Sequence, residues 1–579
     1  MEIYKIAEYG ESIYHIVAHQ YADETVRYAA SELQKYLLRA TGAAIPYFSD
    51  RCPMRGPEIR IGADVRGETS CETELREDGF CIRAAGEHIT ITGSTSRGVL
   101  YGVYRFLEIF CNFRCFTNEV ETIDKFDVLE IEIDEIKEEA AFECRDAYFR
   151  HAFDGDFAVK NRLNASLCDL SVAKGGRIKW FNFHHSYRDL VPEEIYFEEH
   201  PEYFSEIDGK RVRNSQLCLT NPEVLDIAEA TLRRWIKENP ECRVFSVAQN
   251  DNYDRCTCDK CLALEKEEGS PAGPIIHFAN ALADRIKNDY PHVLIHTFAY
   301  QYSLPAPKKV VARDNIIVRI CSIGCRFDRP FEEIAAKYPD SPNAVFVNAL
   351  NDWKAHASRI YVWDYAVNFR NYFQPFIHLH TMAKNIRFLA RIGIRGLMEQ
   401  GNFAFGGGAA FDDLKAYLAA RLFFDPNTDI DSEISRFLCG VYGKEAGSLL
   451  GEYLEMMENA CSGSPLSLYQ YPDAEYITDE LVEKADRIFQ KAMSVTENDT
   501  YRKRVEREYL SVRFLKITRS PLDTEGRNKL IDDFFYDVKC FGITEIRERV
   551  SLAASKKCMQ EHRYVKDRSG DYKLYYIMQ

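Results

Sequence analysis

The 579-residue sequence has no stretch approaching the roughly 18 consecutive apolar residues that a membrane-spanning helix needs. Its first residues carry Glu2, Lys5 and Glu8 among apolar ones and lack the basic segment and apolar run of a signal peptide. Basic side chains are fewer than acidic ones, 74 against 90, which gives a formal net charge of −16. Nucleic acids and anionic membranes repel such a chain, so we expect neither as a partner, whereas a neutral glycan stays possible.

Cysteine, in contrast, is abundant, with 18 residues scattered along the chain. A chain of this length buries enough apolar surface to fold without disulfide bonds, and free cysteines in such number are typical of a reducing compartment. Most of them are expected to act as small buried apolar side chains. Together with the missing leader pattern, the cysteines predict a cytoplasmic protein.

Residues 1–135 are predicted to form a small α+β domain. Apolar side chains recur at helical spacing within Asp23–Thr41, which Gly42 ends, and again within Ser94–Phe110. Short extended runs lie between these two helices. The Glu- and Lys-rich stretch Ile131–Ala140 is predicted to be the linker out of this domain.

From about residue 140, short apolar runs alternate with amphipathic helical stretches, which is typical of βα units. Eight runs are predicted strands: Phe142–Phe149, Ile178–Phe183, Gln216–Thr220, Val244–Ala248, Val293–Phe298, Ile316–Cys321, Ile360–Trp363 and Ile394–Met398. Eight strands with helices between them form a closed barrel of the α/β class, the (β/α)8 TIM barrel. We assign this barrel to residues 140–410. Residues 411–579 show helical patterns and no clear strand, so they are predicted to form a mostly α-helical C-terminal domain.

Barrel enzymes carry their chemistry on the loops that follow the carboxyl ends of the strands. Polar and aromatic clusters follow five of the predicted strands: His184–Ser186, Gln249–Asn252, Tyr300–Tyr302, Trp363–Phe369 and Glu399–Asn402. Aromatic rings can stack on the apolar face of a sugar, while amides, acids and imidazoles bind its hydroxyls. The predicted substrate-binding residues are His185, Gln249, Asn250, Tyr300, Trp363, Tyr365, Asn368 and Asn402.

Three acids lie in these clusters, and we predict that they are catalytic: Asp251, Asp364 and Glu399. Hydrolysis of a glycosidic bond needs a proton donor for the leaving oxygen and a second group that stabilises the oxocarbenium-like centre. Any one of the three could instead be a structural carboxylate that accepts hydrogen bonds from a loop. Their occurrence together, among several polar and aromatic clusters, favours a glycosidase site.

His184 and His185 are adjacent, and neighbouring side chains of an extended segment point to opposite sides. One histidine is therefore expected to be packed, and His185 is expected to bind substrate. A zinc-binding pair is the less favoured interpretation.

A cluster of three thiols, Cys256, Cys258 and Cys261, comes directly after the Gln249–Asn252 cluster. Thiolates at this spacing can share one zinc ion with a fourth ligand from elsewhere, such as Cys218, Cys321 or Cys325. The alternative is a set of reduced cysteines that pack a long loop. A metal at this loop is expected to be structural, and the predicted catalysis itself requires no cofactor.

The stretch FSVAQNDNYDRCTCDKCLALEKEEGSPAGPIIHFANALADRI resembles the signature of the bacterial proteins grouped as domain of unknown function 4838. The strings HPEYFSEIDGKR, FAYQY, YVWDYAVNF and GLMEQGNF are similar to the same group, so the resemblance covers roughly residues 140–450. Some members of the group form glycoside hydrolase family 163, endo-β-N-acetylglucosaminidases that act on N-glycans. Residues 1–135 resemble the small domain that precedes the barrel in family 20 hexosaminidases and family 67 α-glucuronidases.

This resemblance implies a retaining, substrate-assisted mechanism, in which the acetamido oxygen of the substrate attacks the anomeric carbon. One carboxylate then holds the acetamido group, and a second acid protonates the leaving sugar. The chain departs from family 20, which has an adjacent Asp-Glu pair after strand four, where this sequence has Asn250-Asp251. We therefore expect Glu399 to be the general acid and Asp251 to orient the reacting group, with Asp364 in support, although the first two roles could be exchanged.

Two other functions fit the same residues. An inverting exo-glycosidase like the α-glucuronidases needs a basic side chain for the uronate carboxylate, and Arg145 or Arg150 after the first strand could supply it. A glycan-binding protein without catalysis would use the same polar and aromatic clusters. The missing export signal favours short imported oligosaccharides over whole glycoproteins as substrate.

Overall fold

The computed structural model describes residues 3–67, 75–408, 410–520 and 525–561. The first unit contains β1 (Ile3–Glu8), β2 (His15–Ala18), α1 (Glu24–Thr41), β3 (Tyr47–Ser49), β4 (Glu58–Ile61), β5 (Phe80–Ala85), β6 (His88–Gly93), α2 (Ser96–Phe110), β7 (Arg114–Cys115), β8 (Glu121–Thr122), β9 (Val128–Glu132) and β10 (Glu135–Glu138). A six-stranded mixed sheet in the order β10-β5-β6-β4-β2-β3 carries α1 and α2, which also pack against each other.

Helix α1 begins and ends where its capping residues predict. The Asp23 carboxylate accepts a hydrogen bond from the Val26 amide, and Gly42 ends the helix in the left-handed region at φ 75°. The predicted linker Ile131–Ala140 is wrong, because this stretch contains paired strands. Strand β9 pairs with β1 and β10 pairs with β5, so charged side chains alternate with buried ones here rather than lying on a free linker.

The middle of the chain contains β11 (Cys144–Tyr148), α3 (Gly155–Lys160), β12 (Trp180–Phe181), α4 (Tyr187–Leu190), α5 (Glu193–Tyr196), β13 (Glu206–Ile207), β14 (Lys210–Arg211), α6 (Pro222–Glu238), β15 (Val244–Ser246), α7 (Asp259–Glu268), α8 (Ala272–Ile286), β16 (Leu294–Ala299), β17 (Ile316–Cys321), α9 (Phe331–Lys337), α10 (Pro342–Trp353), β18 (Ile360–Tyr365), α11 (Leu379–Arg391) and β19 (Gly396–Gln400). Seven strands form one all-parallel sheet in the order β11-β19-β18-β17-β16-β15-β12. This is the α/β barrel class predicted from the sequence, in the form of a half-barrel.

The predicted third strand, Gln216–Thr220, is wrong. Within the described part of the chain its contribution to β-structure is one isolated bridge, Leu217 to Phe204, and β12 pairs directly with β15. The segment is bound to loops instead, because the Gln216 amide donates to the Asp254 carbonyl and the Cys218 amide donates to the Tyr203 carbonyl. A short apolar run does not distinguish a barrel strand from an extended loop held in this way.

The rest of the described chain consists of helices and the loops that connect them. The helices are α12 (Asp412–Phe424), α13 (Ile430–Tyr442), α14 (Lys444–Cys461), α15 (Asp479–Ser494), α16 (Asp499–Arg519), α17 (Glu525–Cys540) and α18 (Leu552–Glu561). Helix α12 packs against β11 and β19, so it completes the last βα unit of the half-barrel. Of the predicted C-terminal domain, residues 521–524 and 562–579 lie outside the described residues. No described helix is both long and apolar enough to cross a membrane.

A buried ion-pair network joins the first unit to the half-barrel. Asp78 accepts hydrogen bonds from Arg145 Nη2 at 2.7 Å and from Arg97 Nε at 2.7 Å. These two guanidinium groups hold the pKa of Asp78 below its ordinary value although its burial alone acts to raise it. Arg145 is fully buried and paired with Asp78, so of the two arginines named for the α-glucuronidase alternative, Arg150 is the one that remains.

Candidate active site

The inner face of the half-barrel is identified by side chains that meet across it. The Arg319 guanidinium of β17 lies 4.3 Å from the Trp180 ring of β12, although these strands are not neighbours in the sheet. The Trp363 ring of β18 likewise lies 6.2 Å from the Phe183 ring, which follows β12. Because side chains alternate along a strand, Trp363 and its neighbours at every second position line the interior.

Asp251 lies at the carboxyl-terminal mouth of this interior, in the loop after β15. Its side chain is 60% exposed. The Tyr300 hydroxyl donates a hydrogen bond to Asp251 Oδ1 at 3.1 Å, and Gln301 Nε2 donates to the same oxygen at 3.4 Å. Gln301 adopts the left-handed region at φ 53°, a strained conformation for a residue with a side chain, and such strain is typical of functional sites.

His185 is the third group at Asp251. Its Nε2 lies 4.0 Å from Asp251 Oδ1, and its Nδ1 is 2.6 Å from the Gln249 carbonyl oxygen. A carbonyl can only accept, so Nδ1 carries the proton. Burial lowers the pKa of His185, with a smaller opposing effect from the Asp251 charge, and the ring is therefore neutral at neutral pH.

The expectation that His184 and His185 point to opposite sides is wrong. Their ring centroids are 6.4 Å apart, because β12 ends at Phe181 and the histidines lie in an irregular loop. Neither histidine belongs to a metal-binding group among the described residues.

Aromatic side chains surround the mouth. Trp363 Nε1 donates to Gln400 Oε1 at 2.8 Å, which fixes the ring across the interior. Tyr469, from the segment after α14, is 49% exposed, and its ring lies 5.7 Å from Phe369. The Phe369 ring is in turn 5.8 Å from the Tyr365 ring, so a chain of ring contacts leads from Tyr469 to the barrel interior. Burial raises the pKa of Tyr469, and the negative charge of Asp251 adds to this rise.

The structure corrects the placement predicted for Asp364 and Glu399. These residues are register partners on β18 and β19, one position out of phase with the inward-pointing Trp363 and Gln400, so they face away from the interior. Glu399 is fully buried on the helix side of the sheet, and its two oxygens have no hydrogen-bond partner among the described residues. Burial, followed by the charge of Asp364, raises the pKa of Glu399 well above its ordinary value, while Lys415 of α12 opposes this.

Asp364 is similarly enclosed. The Ser322 hydroxyl donates to its Oδ1, and burial raises the pKa of Asp364 to about 7. Neither acid reaches the mouth where Asp251 lies, so the structure does not bring the three predicted catalytic residues together.

Two acids that the sequence reasoning missed are better placed. Glu548, in the loop between α17 and α18, has a pKa raised by burial, and the charge of Asp251 contributes to this rise. The Tyr372 amide donates to the Ile546 carbonyl at 2.8 Å, so the loop that carries Glu548 packs against the loop after β18, whose Phe369 ring contacts Tyr469. Asp146 of β11 lies in the interior, where burial raises its pKa to about 7 against the opposing charge of Arg319. Asp146 carried the signal of an acid inside a predicted strand, whereas Glu548 carried no local signal.

Several predicted substrate-binding amides make hydrogen bonds to protein groups. Gln249 is fully buried and its side chain bonds Tyr300 and Ser303. Asn250 donates to the Ser215 carbonyl and accepts from the Arg188 amide. The amide of Asn368 donates to the Gln470 carbonyl, which holds the loop after β18 against the segment that carries Tyr469. These side chains shape the loops, and their contact with a sugar stays a prediction.

The remaining predicted binding residues are distributed between two spaces. Tyr365 is buried, with its ring 6.5 Å from Trp363 inside the barrel. Asn402 is buried as well, accepts a hydrogen bond from the Ala404 amide, and lines a separate cavity. Of the predicted set, His185, Tyr300 and Trp363 are therefore the ones that surround the mouth with Asp251.

The cavity lined by Asn402 has a volume of about 1100 Å³ and lies between the half-barrel and the C-terminal helices. We call it the lateral cavity. Its lining carries both signs of charge, since Arg150, Arg507 and Arg549 lie there together with Asp154, Asp413 and Glu508. The Arg150 guanidinium lies 3.8 Å from the Phe405 ring centroid, which holds it in place. Arg549 is the neighbour of Glu548, so the loop between α17 and α18 contributes to both spaces.

The predicted metal ligands also converge. The Sγ atoms of Cys218, Cys256, Cys258 and Cys261 all lie within 4.8 Å of one another, and all four residues are buried. Cys321 and Cys325, the other two candidates for the fourth ligand, are not part of this group.

The sequence profile described as domain of unknown function DUF4838 matches residues 116–455, which is more than half of the chain. The chain belongs to the DUF4838 family. A profile described as glycosyl hydrolase family 67 N-terminus matches residues 4–106 of this DUF4838 chain, which confirms the resemblance of its first unit. No curated protein matches the sequence.

Among solved structures, a family GH115 4-O-methyl-α-glucuronidase with specificity for decorated arabinogalactans is similar at a TM-score of 0.58 and 11% identity. The match covers 97% of the DUF4838 chain and 78% of that enzyme. A GH138 enzyme targeting pectin rhamnogalacturonan II has a TM-score of 0.43 at 11% identity, and the match covers 93% of this chain and 74% of that enzyme. A mutant Streptomyces plicatus β-hexosaminidase in complex with GlcNAc has a TM-score of 0.44 at 11% identity, and the match covers 77% of this chain and 92% of that enzyme. At these identities the first comparison shows a shared fold, and no argument rests on the other two.

Proposed function

We propose that this DUF4838 chain is a glycoside hydrolase whose site lies at the mouth of the half-barrel, with Asp251 as the carboxylate at the reacting sugar. One observation carries the proposal: an exposed carboxylate, oriented by the Tyr300 hydroxyl, lies among aromatic rings at the carboxyl ends of parallel strands. Barrel enzymes place catalytic groups at this end of the strands. Aromatic rings beside a carboxylate suit a sugar ring that is stacked and cleaved.

The substrate class that we propose is a β-linked glycan containing N-acetylglucosamine, cleaved with retention by the acetamido group of the substrate. In that mechanism the protein supplies a carboxylate to hold the acetamido group and a separate proton donor, and it needs no second carboxylate as nucleophile. Asp251 with Tyr300 offers one oriented acceptor of this kind. The endo mode is supported by the exposure of Asp251, because an open surface lets sugars continue on both sides of the cleaved bond.

The proton donor in this proposal is Glu548 rather than Glu399. Glu548 lies in a loop that packs against the loop after β18, because the Ile546 carbonyl accepts a hydrogen bond from the Tyr372 amide. Glu399, in contrast, is enclosed behind the sheet. A general acid must be protonated near the operating pH, and the raised pKa of Glu548 favours its protonated form.

The test is hydrolysis of a panel of aryl β-N-acetylglucosaminides, aryl α-glucuronides and GlcNAc-containing oligosaccharides by the wild type and by Asp251→Asn. We expect release from the β-N-acetylglucosaminides and a loss of about 10²–10⁴-fold in the variant, the range for a positioned catalytic group. Glu399→Gln is the matched control, since it changes an acid outside the mouth. Hydrolysis that survives Asp251→Asn and fails in Glu399→Gln would overturn this site.

The role of Glu548 is tested by leaving groups of different acidity. An aryl leaving group of low pKa departs without protonation, so Glu548→Gln is expected to cleave it at near wild-type rate. The same variant is expected to lose most activity on a poor leaving group such as a second sugar. Equal losses on both substrates would contradict a role in proton donation.

A second candidate function, an α-glucuronidase-like exo-glycosidase, is favoured by the lateral cavity. Arg150 and Arg549 in its lining supply guanidinium groups suited to a uronate carboxylate, whereas Arg507 is paired with Asp413. The structural relative at a TM-score of 0.58 is described as an α-glucuronidase. Uronide hydrolysis that depends on Arg150 and tolerates Asp251→Asn would favour this function. Binding of glycans without hydrolysis of any panel member would instead leave a glycan-binding protein.

A further inference from the structure

Four buried thiols form a cluster apart from the main hydrophobic core. Cys218 lies in the loop before α6, and Cys256, Cys258 and Cys261 lie in the loop after β15 and at the start of α7. The four-cysteine cluster, as we call this set, therefore joins two segments that are 43 residues apart at Cys218 and Cys261.

The spacing of the sulfurs is that of a tetrahedral metal site. Cys218 Sγ lies 3.7 Å from Cys258 Sγ and 4.0 Å from Cys261 Sγ. A regular tetrahedron with zinc–sulfur bonds of about 2.3 Å has edges of about 3.8 Å. A disulfide, with sulfurs about 2.05 Å apart, would need a much closer pair.

Donors surround the sulfurs in the manner expected for thiolates. The Glu206 amide donates to Cys256 Sγ at 3.4 Å, and Arg211 Nη1 lies 3.8 Å from the same sulfur. The Thr220 hydroxyl lies 3.2 Å from Cys261 Sγ. Four thiolates around a divalent ion leave an excess of two negative charges, which these donors and the Arg211 guanidinium offset.

We propose that the four-cysteine cluster binds one Zn²⁺ ion, which holds the loop that carries Asp251. Each protonated thiol loses its proton to solvent as its sulfur–zinc bond forms, and no redox change is involved. Four protein ligands leave no open position, which is the arrangement of structural sites rather than catalytic ones.

Hydrogen bonds connect the cluster to Asp251. Gln216, two residues before Cys218, donates from Nε2 to the Asn250 carbonyl at 2.8 Å and to Asn252 Oδ1 at 2.8 Å. Its Oε1 accepts from the Asn250 amide at 2.8 Å. Gln216 Nε2 also lies 3.2 Å from the Asn252 carbonyl oxygen, so the Gln216 side chain holds the backbone on both sides of Asp251. The zinc would fix the segment that carries Gln216.

The first experiment measures metal in the purified full-length protein by mass spectrometry. We expect one zinc per chain, with a residual content below one tenth in Cys218→Ser and in Cys258→Ser. Cys325→Ser, a buried cysteine outside the cluster, is the matched control and is expected to retain its zinc. Stoichiometric iron, or no metal together with four thiols that react with a thiol reagent in the folded protein, would overturn the proposal.

A second measurement keeps the proposal testable if the serine variants do not fold. A mercurial reagent added to the wild-type protein is expected to release one zinc per four thiols titrated, and protein loaded with Co²⁺ is expected to show the absorption of a tetrahedral thiolate site. Release without stoichiometric thiol modification would contradict a four-thiolate site.

Hydrogen exchange tests whether the zinc holds the loop that carries Asp251. In Cys258→Ser, hydrogen exchange of residues 249–261 is expected to rise at least tenfold, while α1 of the first unit keeps its wild-type protection. Unchanged exchange in a zinc-free variant would overturn the positioning role. Metal content and exchange do not depend on hydrolysis, so failure of the proposed glycosidase activity remains distinguishable from failure of the zinc site.

Discussion

The Tyr300 hydroxyl donates its hydrogen bond to Asp251 Oδ1 over 3.1 Å, joining the loops that follow two neighbouring strands, β15 and β16. Because the bond ends on the most exposed carboxylate at the mouth, it orients this group without burying it. The same hydroxyl accepts from Gln301 Nε2 at 3.0 Å, so Asp251 belongs to a short network rather than to a single pair.

Removal of that hydroxyl tests the relationship. Tyr300→Phe is expected to lower kcat/KM about 10- to 100-fold, since a hydrogen bond to a charged group contributes about 1.5–3 kcal/mol. Steady-state kinetics on the best aryl substrate of the panel gives this number. Tyr290→Phe, at the amino-terminal side of β16, serves as control and should keep wild-type kinetics. A Tyr300→Phe enzyme as active as the wild type would show that Asp251 does not need this donor.

Tyr469 is expected to bind sugar through its exposed ring. Tyr469→Ala should raise KM about fivefold with little change in kcat, because a stacked ring contributes about 1 kcal/mol of binding that is equal in ground and transition states. Tyr536→Ala is a matched control, since Tyr536 lies on α17 and is 69% exposed. A fall in kcat with unchanged KM would assign Tyr469 to the chemical step instead.

The buried acid Asp364 makes stability depend on pH. Its pKa is about 7 in the folded chain and about 3.9 when unfolded, so between these values the folded state holds a proton that the unfolded state has lost. Raising the pH through this window therefore favours unfolding, by up to about 1.4 kcal/mol per pH unit. Asp364→Asn is expected to lose less Tm than the wild type between pH 4.5 and 7.5, as measured by differential scanning calorimetry. Parallel Tm curves for the two proteins would contradict the raised pKa.

Asp78 is expected to contribute strongly to stability through its two buried guanidinium partners. Asp78→Asn should destabilise the protein by about 3–5 kcal/mol, because it leaves the fully buried Arg145 without its counter-charge. The control Asp226→Asn breaks an exposed pair with Arg285 of the same 2.7 Å length, and it should cost no more than about 1 kcal/mol. Urea denaturation of the three proteins compares them directly. Similar losses in both variants would show that burial does not set the difference.

Much of the architecture could be predicted from local pattern. Helix α1 was predicted within one residue of its bounds, because Asp23 and Gly42 are strong capping signals. Seven of the eight predicted strands lie in the parallel sheet, since alternating βα units have few other ways to bury their apolar faces. The segment Gln216–Thr220 was wrongly predicted as a strand, because an apolar run has the same sequence pattern whether its backbone pairs with a strand or with a loop. The domain boundaries stay predictions.

The sequence by itself determined the α/β barrel class, with polar clusters after its strands, and it placed Asp251 and Tyr300 among them. The half-barrel form, with seven parallel strands rather than the predicted eight, appeared only in the structure. Only the tertiary structure decided which of those side chains share a space. Side-chain direction alternates at every residue along a strand, so Glu399 faces the helices while its neighbour Gln400 faces the interior. The loop that carries Glu548 packs against the loop after β18, and Cys218 is the fourth thiol at the cysteine loop. Both placements depend on contacts between distant parts of the chain.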